Sequence, residues 1–299
     1  MINAKNITKY FDDIHAIDNV TVTIKEGSVF GLIGSNGAGK STFLSMLSGI
    51  IKPDSGEISI DGKEVFENTN VKERFFYISD DQYFFPNTTP KALKEYYGNV
   101  YKSFNTKRFD LLMKGFNLDE NRKINTFSKG MKKQVSVICA VSSMTDYIFC
   151  DETFDGLDPV VRQAVKSIFA GDVADRGLTP VIASHNLREL EDICDHIGLL
   201  HRGGILLSKD LDDMKLGIHK IQCVFGTPKS KEDFNDIEIL SFEKKGSLNT
   251  ITARGQKDEL MSRIQRENPV FYELLPLSLE EIFISETEVC GYDIKKLIL

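Results

Sequence analysis

The stretch from Gly34 to Thr42 reads GSNGAGKST, and nothing else in the chain limits its fold so sharply. Ahead of it, SVFGLI (28 to 33) is a short apolar, β-leaning run; behind it, FLSMLSGI (43 to 50) places Phe43, Leu44 and Leu47 on one helical face. A glycine-rich loop joining a buried strand to a helix can turn its backbone N–H groups inward, and the helix start adds a field favourable to anions. Gly34, Gly37 and Gly39 meet those backbone demands, with Ser35, Asn36 and Ala38 small or polar between them. In the complete GxxxxGK[ST] pattern, Lys40 reaches the β- and γ-phosphates of a nucleotide and the Ser41 hydroxyl ligates Mg²⁺. The competing reading, a glycine-rich turn with a chance lysine, leaves the strand and helix on either side unexplained.

A nucleotide hydrolase also needs a second acid on the metal and a group that orients water. YIFCDETFDGLDP (147 to 159) supplies both: Tyr147 to Cys150 form a continuous apolar run, as in a strand buried on both faces of a parallel sheet, and the run ends in two acids. Asp151 is expected at the strand's carboxyl end facing Mg²⁺, with Glu152 just beyond it accepting a hydrogen bond from the attacking water. In NTFSKGMKKQVSVICAV (125 to 141), Ser128, Lys129 and Gly130 precede an amphipathic helix, which is either a plain N-cap or a second phosphate-binding surface. PVIASHNLREL (180 to 190) places His185 at the end of another apolar strand, where it is either structural or a donor to the γ-phosphate.

Composition excludes several classes. Net charge is −7 and neither side of Gly204 is basic, which argues against a nucleic-acid binder. No apolar stretch approaches the roughly 20 residues of a membrane helix, and MINAKNITKY has no signal-like core, so the chain is expected in the cytosol. Cys139, Cys150, Cys194, Cys223 and Cys290 have no CxxC or metal-ligand spacing and read as buried reduced thiols.

Together these motifs resemble the ATP-binding subunit of an ATP-binding cassette (ABC) transporter, over about the first 215 residues and in that family's order. GSNGAGKST is similar to Walker A, FSKGM to the signature motif of exporter-type members, YIFCDE to Walker B with its catalytic glutamate, GLD (156 to 158) to the D-loop, and His185 to the switch histidine. Tyr10 and Phe11 resemble the adenine-stacking position, assigned to Phe11.

The resemblance implies an α/β P-loop NTPase core with an N-terminal antiparallel β subdomain and a helical subdomain. It implies ATP and Mg²⁺ as cofactors, Lys40, Glu152 and His185 as catalytic groups, and Ser41, Asp151 and Asp80 at the metal. It also implies a head-to-tail pair with a second ABC ATPase, alike or different, in which Ser128 and Gly130 face the other copy's nucleotide. A separate transmembrane permease, with this chain peripheral on the inner face of the cell membrane, completes the expectation. A soluble ABC ATPase acting on nucleic acid or the ribosome and a non-hydrolysing ATP-dependent clamp are the alternatives. The acidic balance and a gap of under ninety residues between Walker A and the signature weigh against the first of these.

The chain departs from the family's pattern in places. Counting from Tyr77, the Q-loop position, where the family usually has glutamine and its exporter-type members often a carboxylate, holds Asp80, while Gln82 lies two residues later. After Walker B the usual glutamate-proline-threonine is Glu152-Thr153-Phe154, and loss of the proline is expected to loosen this loop. YFFPNTTPKALKEYYGNVYKSF (83 to 104) carries seven aromatics in twenty-two residues, which fits either a small helical core or a docking groove formed by Phe84, Phe85, Tyr96 and Tyr97.

The ATPase domain is expected to span 1 to 217, RGGIL and KDLDDMKLG resembling its end. A small α+β accessory domain, 218 to 299, is expected beyond it: KIQCVF, IEILSF, LNTITARG and VFYELLPL read as strands, KKGS as a turn and QKDELMSRIQREN as a helix. SLEEIFISETE (278 to 288) resembles the close of exporter-type ATPases.

Overall fold

The computed structural model describes residues 1–211, 217–278 and 280–282. Cys290, most of SLEEIFISETE and residues 212–216 of KDLDDMKLG lie outside them. Two compact units emerge, Met1–Ser208 and the described residues from Lys209 onward, the division falling ahead of Gly217.

In the first unit, β1 (Ile2–Phe11) and β2 (Ile14–Ile24) form an antiparallel pair. β3 (Phe30–Ile33) leads through the glycine-rich loop into α1 (Lys40–Leu47). Strands β4 (Ser55–Ile60) and β5 (Lys63–Glu64) join the first pair in a sheet of order β2-β1-β4-β5. This is the antiparallel subdomain that the family resemblance implies. After α2 (Thr69–Lys72) and β6 (Phe75–Ile78) come α3 (Pro90–Val100), α4 (Thr106–Gly115) and α5 (Lys129–Ser142), which pack on one another as a helical layer.

The remaining elements complete the central sheet. β7 (Tyr147–Asp151), α6 (Pro159–Arg176), β8 (Thr179–Ser184), α7 (Leu187–Leu190), β9 (His196–His201) and β10 (Gly204–Asp210) follow in order. The sheet order is β10-β9-β3-β8-β7-β6, and the β9/β3, β3/β8, β8/β7 and β7/β6 ladders are all parallel. Every residue of β3, β7 and β8 is buried, which is why these segments read as unbroken apolar runs and not as alternating ones. Phe43, Leu44 and Leu47 of α1 enter the same core as Phe30, Leu32, Phe149 and Val181. Parallel neighbours deliver their carboxyl ends to one edge, so the segments after β3, β6, β7 and β8 emerge side by side, where open α/β sheets bind ligands.

The second unit is built from β11 (Ile218–Phe225), β12 (Glu238–Lys245), β13 (Leu248–Arg254), α8 (Lys257–Gln265) and β14 (Pro269–Leu275). Its antiparallel sheet has the order β12-β13-β11-β14, and Leu260 and Ile264 of α8 share its core with Ile221, Cys223, Phe234 and Ile251. Among the described residues no helix is long and apolar enough to cross a membrane. Cys139, Cys150, Cys194 and Cys223 are buried free thiols.

Candidate functional site

The loop after β3 is moulded tightly against its neighbours. A Cβ on Gly34 would stand 2.5 Å from the Leu200 carbonyl oxygen, and Gly39, with φ 106°, would bring one to 2.5 Å from that of Ala16. Gly39 is the residue from which α1 starts, so the first N–H groups of that helix face the loop. Lys40 is buried; its ammonium donates to the carbonyl oxygens of Gly34 at 2.7 Å and Ser35 at 3.3 Å.

Three loops from the same sheet edge meet this lysine. Glu152, directly after β7, places Oε1 3.2 Å from Lys40 Nζ and Oε2 2.8 Å from His185 Nδ1, which follows β8. The structure thus joins Lys40, Glu152 and His185 into one cluster across 145 residues of sequence. Glu152 has φ 45°, in the left-handed region that non-glycine residues adopt only when their surroundings enforce it. Here the Glu152 N–H donates to the Ala183 carbonyl at 3.0 Å, and its own carbonyl accepts from Lys133 Nζ at 2.5 Å and from the Asp155 N–H at 3.2 Å.

Asp151 lies beneath, 3 % exposed, with Oδ1 lacking any hydrogen-bond partner. Burial raises its pKa from the usual carboxylate range; the Ser41 hydroxyl bonds to it and pulls the other way, while the charges of Glu152 and Asp80 add to the rise. An ionised carboxylate with an unpaired oxygen beside a serine hydroxyl suits a hard cation, so these residues fit Mg²⁺. No group of three or more His, Cys, Asp or Glu gathers for a metal among the described residues, and Mg²⁺ requires none, because it retains waters and takes phosphate oxygens.

A pocket of about 460 Å³ opens over the loop, lined by Phe11, Asn36, Gly37, Gly39, Lys40, Ser41, Thr42, Asp80 and Glu152, and also by Ile14, His15, Ala16 and Arg202. Phe11 is 42 % exposed at its mouth, whereas Tyr10 stacks on His15 with ring centroids 4.1 Å apart. Asp80 reaches the pocket and pairs with Lys133 at 3.2 Å, while both amide atoms of Gln82 are buried without a partner among the described residues. Ser35 supplies a carbonyl and Ala38 packs beneath the loop, so neither lines the opening.

Ser128 and Gly130 do not line this pocket. Ser128 caps α5, accepting from the Met131 N–H at 3.2 Å, and its side chain stands exposed on the surface beside the Lys129–Asp155 pair at 3.3 Å.

After Glu152 the loop, where Thr153 stands at the usual proline position, is anchored by buried side chains. Phe154 is 1 % exposed and meets Phe169 edge-on at 6.3 Å, and Asp158 caps α6 through the N–H groups of Val160 and Val161. The aromatic stretch is divided: Tyr83, Phe85 and Tyr96 are exposed, while Tyr97 and Tyr101 pack on Phe76. Phe84 is half-buried.

Sequence reasoning missed Lys133, Arg202, Ile14, His15 and Tyr77, the last lying against Ser45 and Asp151 with its pKa raised chiefly by burial. Lys133 left a readable trace, since it shares a helical stripe with Val137 and Val141, where an apolar residue is expected.

The geometry has counterparts. The family model for ABC transporters matches residues 17–155. The ABC transporter ATP-binding protein YtrB of Bacillus subtilis is 31% identical over 286 residues, 96% of this chain and 98% of the relative. The bacitracin transport ATP-binding protein BcrA of Bacillus licheniformis is 28% identical over 218 residues, 72% of this chain and 71% of the relative. Among solved structures, the ATP-binding subunit of an ABC transporter matches with TM-score 0.67 and 27% identity over 72% of this chain and 92% of that one. The cassette MJ0796, solved as a dimer in a post-hydrolysis state with ADP and Pi, shares the fold with TM-score 0.64 and 23% identity over 71% of this chain and 99% of that one.

Proposed function

The chain belongs to the ABC transporter family as an ATP-binding subunit and ATPase, and from that premise we propose that it works as one half of a head-to-tail pair, driving export through a separate membrane-spanning permease. The observation that carries this reading is the Lys40–Glu152–His185 cluster at the ends of adjacent parallel strands.

Phe11 stacks the adenine, and the backbone of residues 34 to 42 with Lys40 holds the phosphates. Ser41 and Asp151 hold Mg²⁺, which when bound offsets negative charge on the phosphoryl oxygens. Asp80, which lines the same pocket, would be the further residue near this metal. As Lys40 turns to phosphate oxygens, Glu152 Oε1 is released to accept a hydrogen bond from water, while Oε2 keeps its bond to His185. Water then attacks the γ-phosphorus as its proton passes to Glu152 or a phosphoryl oxygen, the bond to the β,γ-bridging oxygen breaks, and ADP and inorganic phosphate depart.

Ser128 and Gly130, outside the pocket of their own chain, serve the nucleotide of the second copy. That second copy is either this chain or a similar ATPase. Binding draws the pair together and hydrolysis parts it. The exposed Tyr83, Phe85 and Tyr96 form the docking face for the permease, which keeps the chain peripheral on the inner side of the cell membrane. Export is supported by the resemblance of FSKGM to exporter-type signatures and by the bacitracin transport named for BcrA.

The test is phosphate release and light scattering with and without Mg²⁺-ATP, on wild type, Glu152→Gln and Ser128→Arg. Turnover by wild type, an ATP-trapped pair in Glu152→Gln, and loss of both pairing and turnover in Ser128→Arg are expected. A wild type that binds ATP without cleaving it would instead be a clamp, and a Ser128→Arg protein that still pairs would remove the head-to-tail arrangement.

A further inference from the structure

Lys133 is buried to 1 % exposure on α5, yet its side chain carries a charge. Burial of an ammonium disfavours its charged form unless acceptors surround it. Two do: Asp80 Oδ1 at 3.2 Å, from the segment after β6, and the Glu152 carbonyl oxygen at 2.5 Å, from the segment after β7. Both segments belong to the nucleotide pocket, whose lining contains Asp80 and Glu152 but not Lys133.

The second bond lands on a residue whose backbone is in the left-handed region. With φ 45°, Glu152 holds a conformation in which its carboxylate meets Lys40 and His185, and a charged donor on its carbonyl adds a charge-assisted bond to the two backbone bonds that hold it there. The ammonium also neutralises the aspartate at the position where a glutamine is usual in the family. A neutral glutamine would need no such partner.

We propose that Lys133 is a positioning residue for hydrolysis: its buried ammonium fixes the Glu152 main chain and Asp80 together, setting the direction of the Glu152 carboxylate without touching nucleotide. The proposal rests on Glu152 being the residue that orients water. Misplacing a catalytic group by about 1 Å costs on the order of 100-fold, so Lys133→Met is expected to lower kcat by about that factor. KM for ATP is expected to stay within about threefold, because no ground-state contact with the nucleotide is removed.

The experiment pairs steady-state hydrolysis with hydrogen–deuterium exchange of the full chain, on wild type, Lys133→Met, Asp80→Asn and Glu152→Gln. Lys133→Met is expected to speed exchange in peptides covering 79–82 and 151–156 while β8 stays protected; Asp80→Asn is expected to do so at 79–82 alone. Unchanged kcat and unchanged exchange in a folded Lys133→Met protein would overturn the proposal, as would a KM rise at constant kcat. Should Lys133→Met fail to fold, unaltered exchange at 79–82 in Asp80→Asn overturns it. Hydrolysis surviving Glu152→Gln would defeat the reading of Glu152 itself, and the exchange data would still decide whether Lys133 holds the two segments.

Discussion

Glu152 touches Lys40 with one carboxylate oxygen, at 3.2 Å, and His185 with the other, at 2.8 Å. The residue proposed to orient water is therefore linked directly to the lysine proposed to bind phosphate. Removing its charge should slow chemistry while relieving Lys40 of a competitor. Glu152→Gln is expected to lose roughly 10²–10⁴ in kcat, the usual worth of a positioned acid or base, and to bind ATP at least as tightly as wild type. Phosphate release and calorimetric titration with ATP check both halves.

Phe11 stands at the pocket mouth, 42 % exposed, with the Lys9 ammonium 5.6 Å from its ring. Stacking of a base on an aromatic ring contributes about 1–3 kcal/mol. Phe11→Ala should weaken ATP binding by roughly 10- to 100-fold at little change in kcat, and Phe11→Tyr should retain most of the affinity. Titration with a fluorescent ATP analogue measures this.

The strand that carries Phe11 is held by Asp54, whose carboxylate accepts from Lys9 Nζ at 2.7 Å and from the Tyr10 N–H at 2.7 Å. Those bonds, the one from Lys9 foremost, hold its pKa below the ordinary carboxylate value. A depressed folded-state pKa means stability that is complete above the unfolded value of about 3.9 and is lost as pH falls through the folded one. Thermal melts between pH 6 and pH 2 should therefore lose a contribution below about pH 4 in wild type that Asp54→Asn lacks at every pH.

Phe154 follows Thr153, which holds the place where the family commonly has proline, and packs against Phe169 in the core. Truncating a buried phenylalanine costs about 3–5 kcal/mol, so Phe154→Ala should shift the urea midpoint of the first unit markedly. Because Glu152 lies two residues upstream, turnover is expected to fall alongside stability. Urea unfolding and phosphate release on the same preparation compare the two.

The phosphate loop, the acidic strand end and the histidine strand end were legible in sequence because each is a local pattern: an apolar run of strand length, then polar residues at its carboxyl end. The sheet order then brings the ends together without further sequence information. The division of the aromatic stretch was not legible, because Tyr97 turns inward only where Phe76 of another element meets it. Lys133 was not recognised as part of the site, since its partners lie 53 and 19 residues away and no spacing rule links a helix interior to two loops. Arg202 enters through a turn whose φ of 46° a local reading would assign to glycine or asparagine.

The two hydrogen bonds that Lys40 donates to the carbonyl oxygens of Gly34 and Ser35 have a thermodynamic consequence. They brace the anion cradle from within, so the entropy of arranging it is spent when the chain folds and not when a ligand arrives. On the proposed role of Lys40, capture of a triphosphate would then be an exchange of oxygens around one nitrogen, with little backbone left to immobilise.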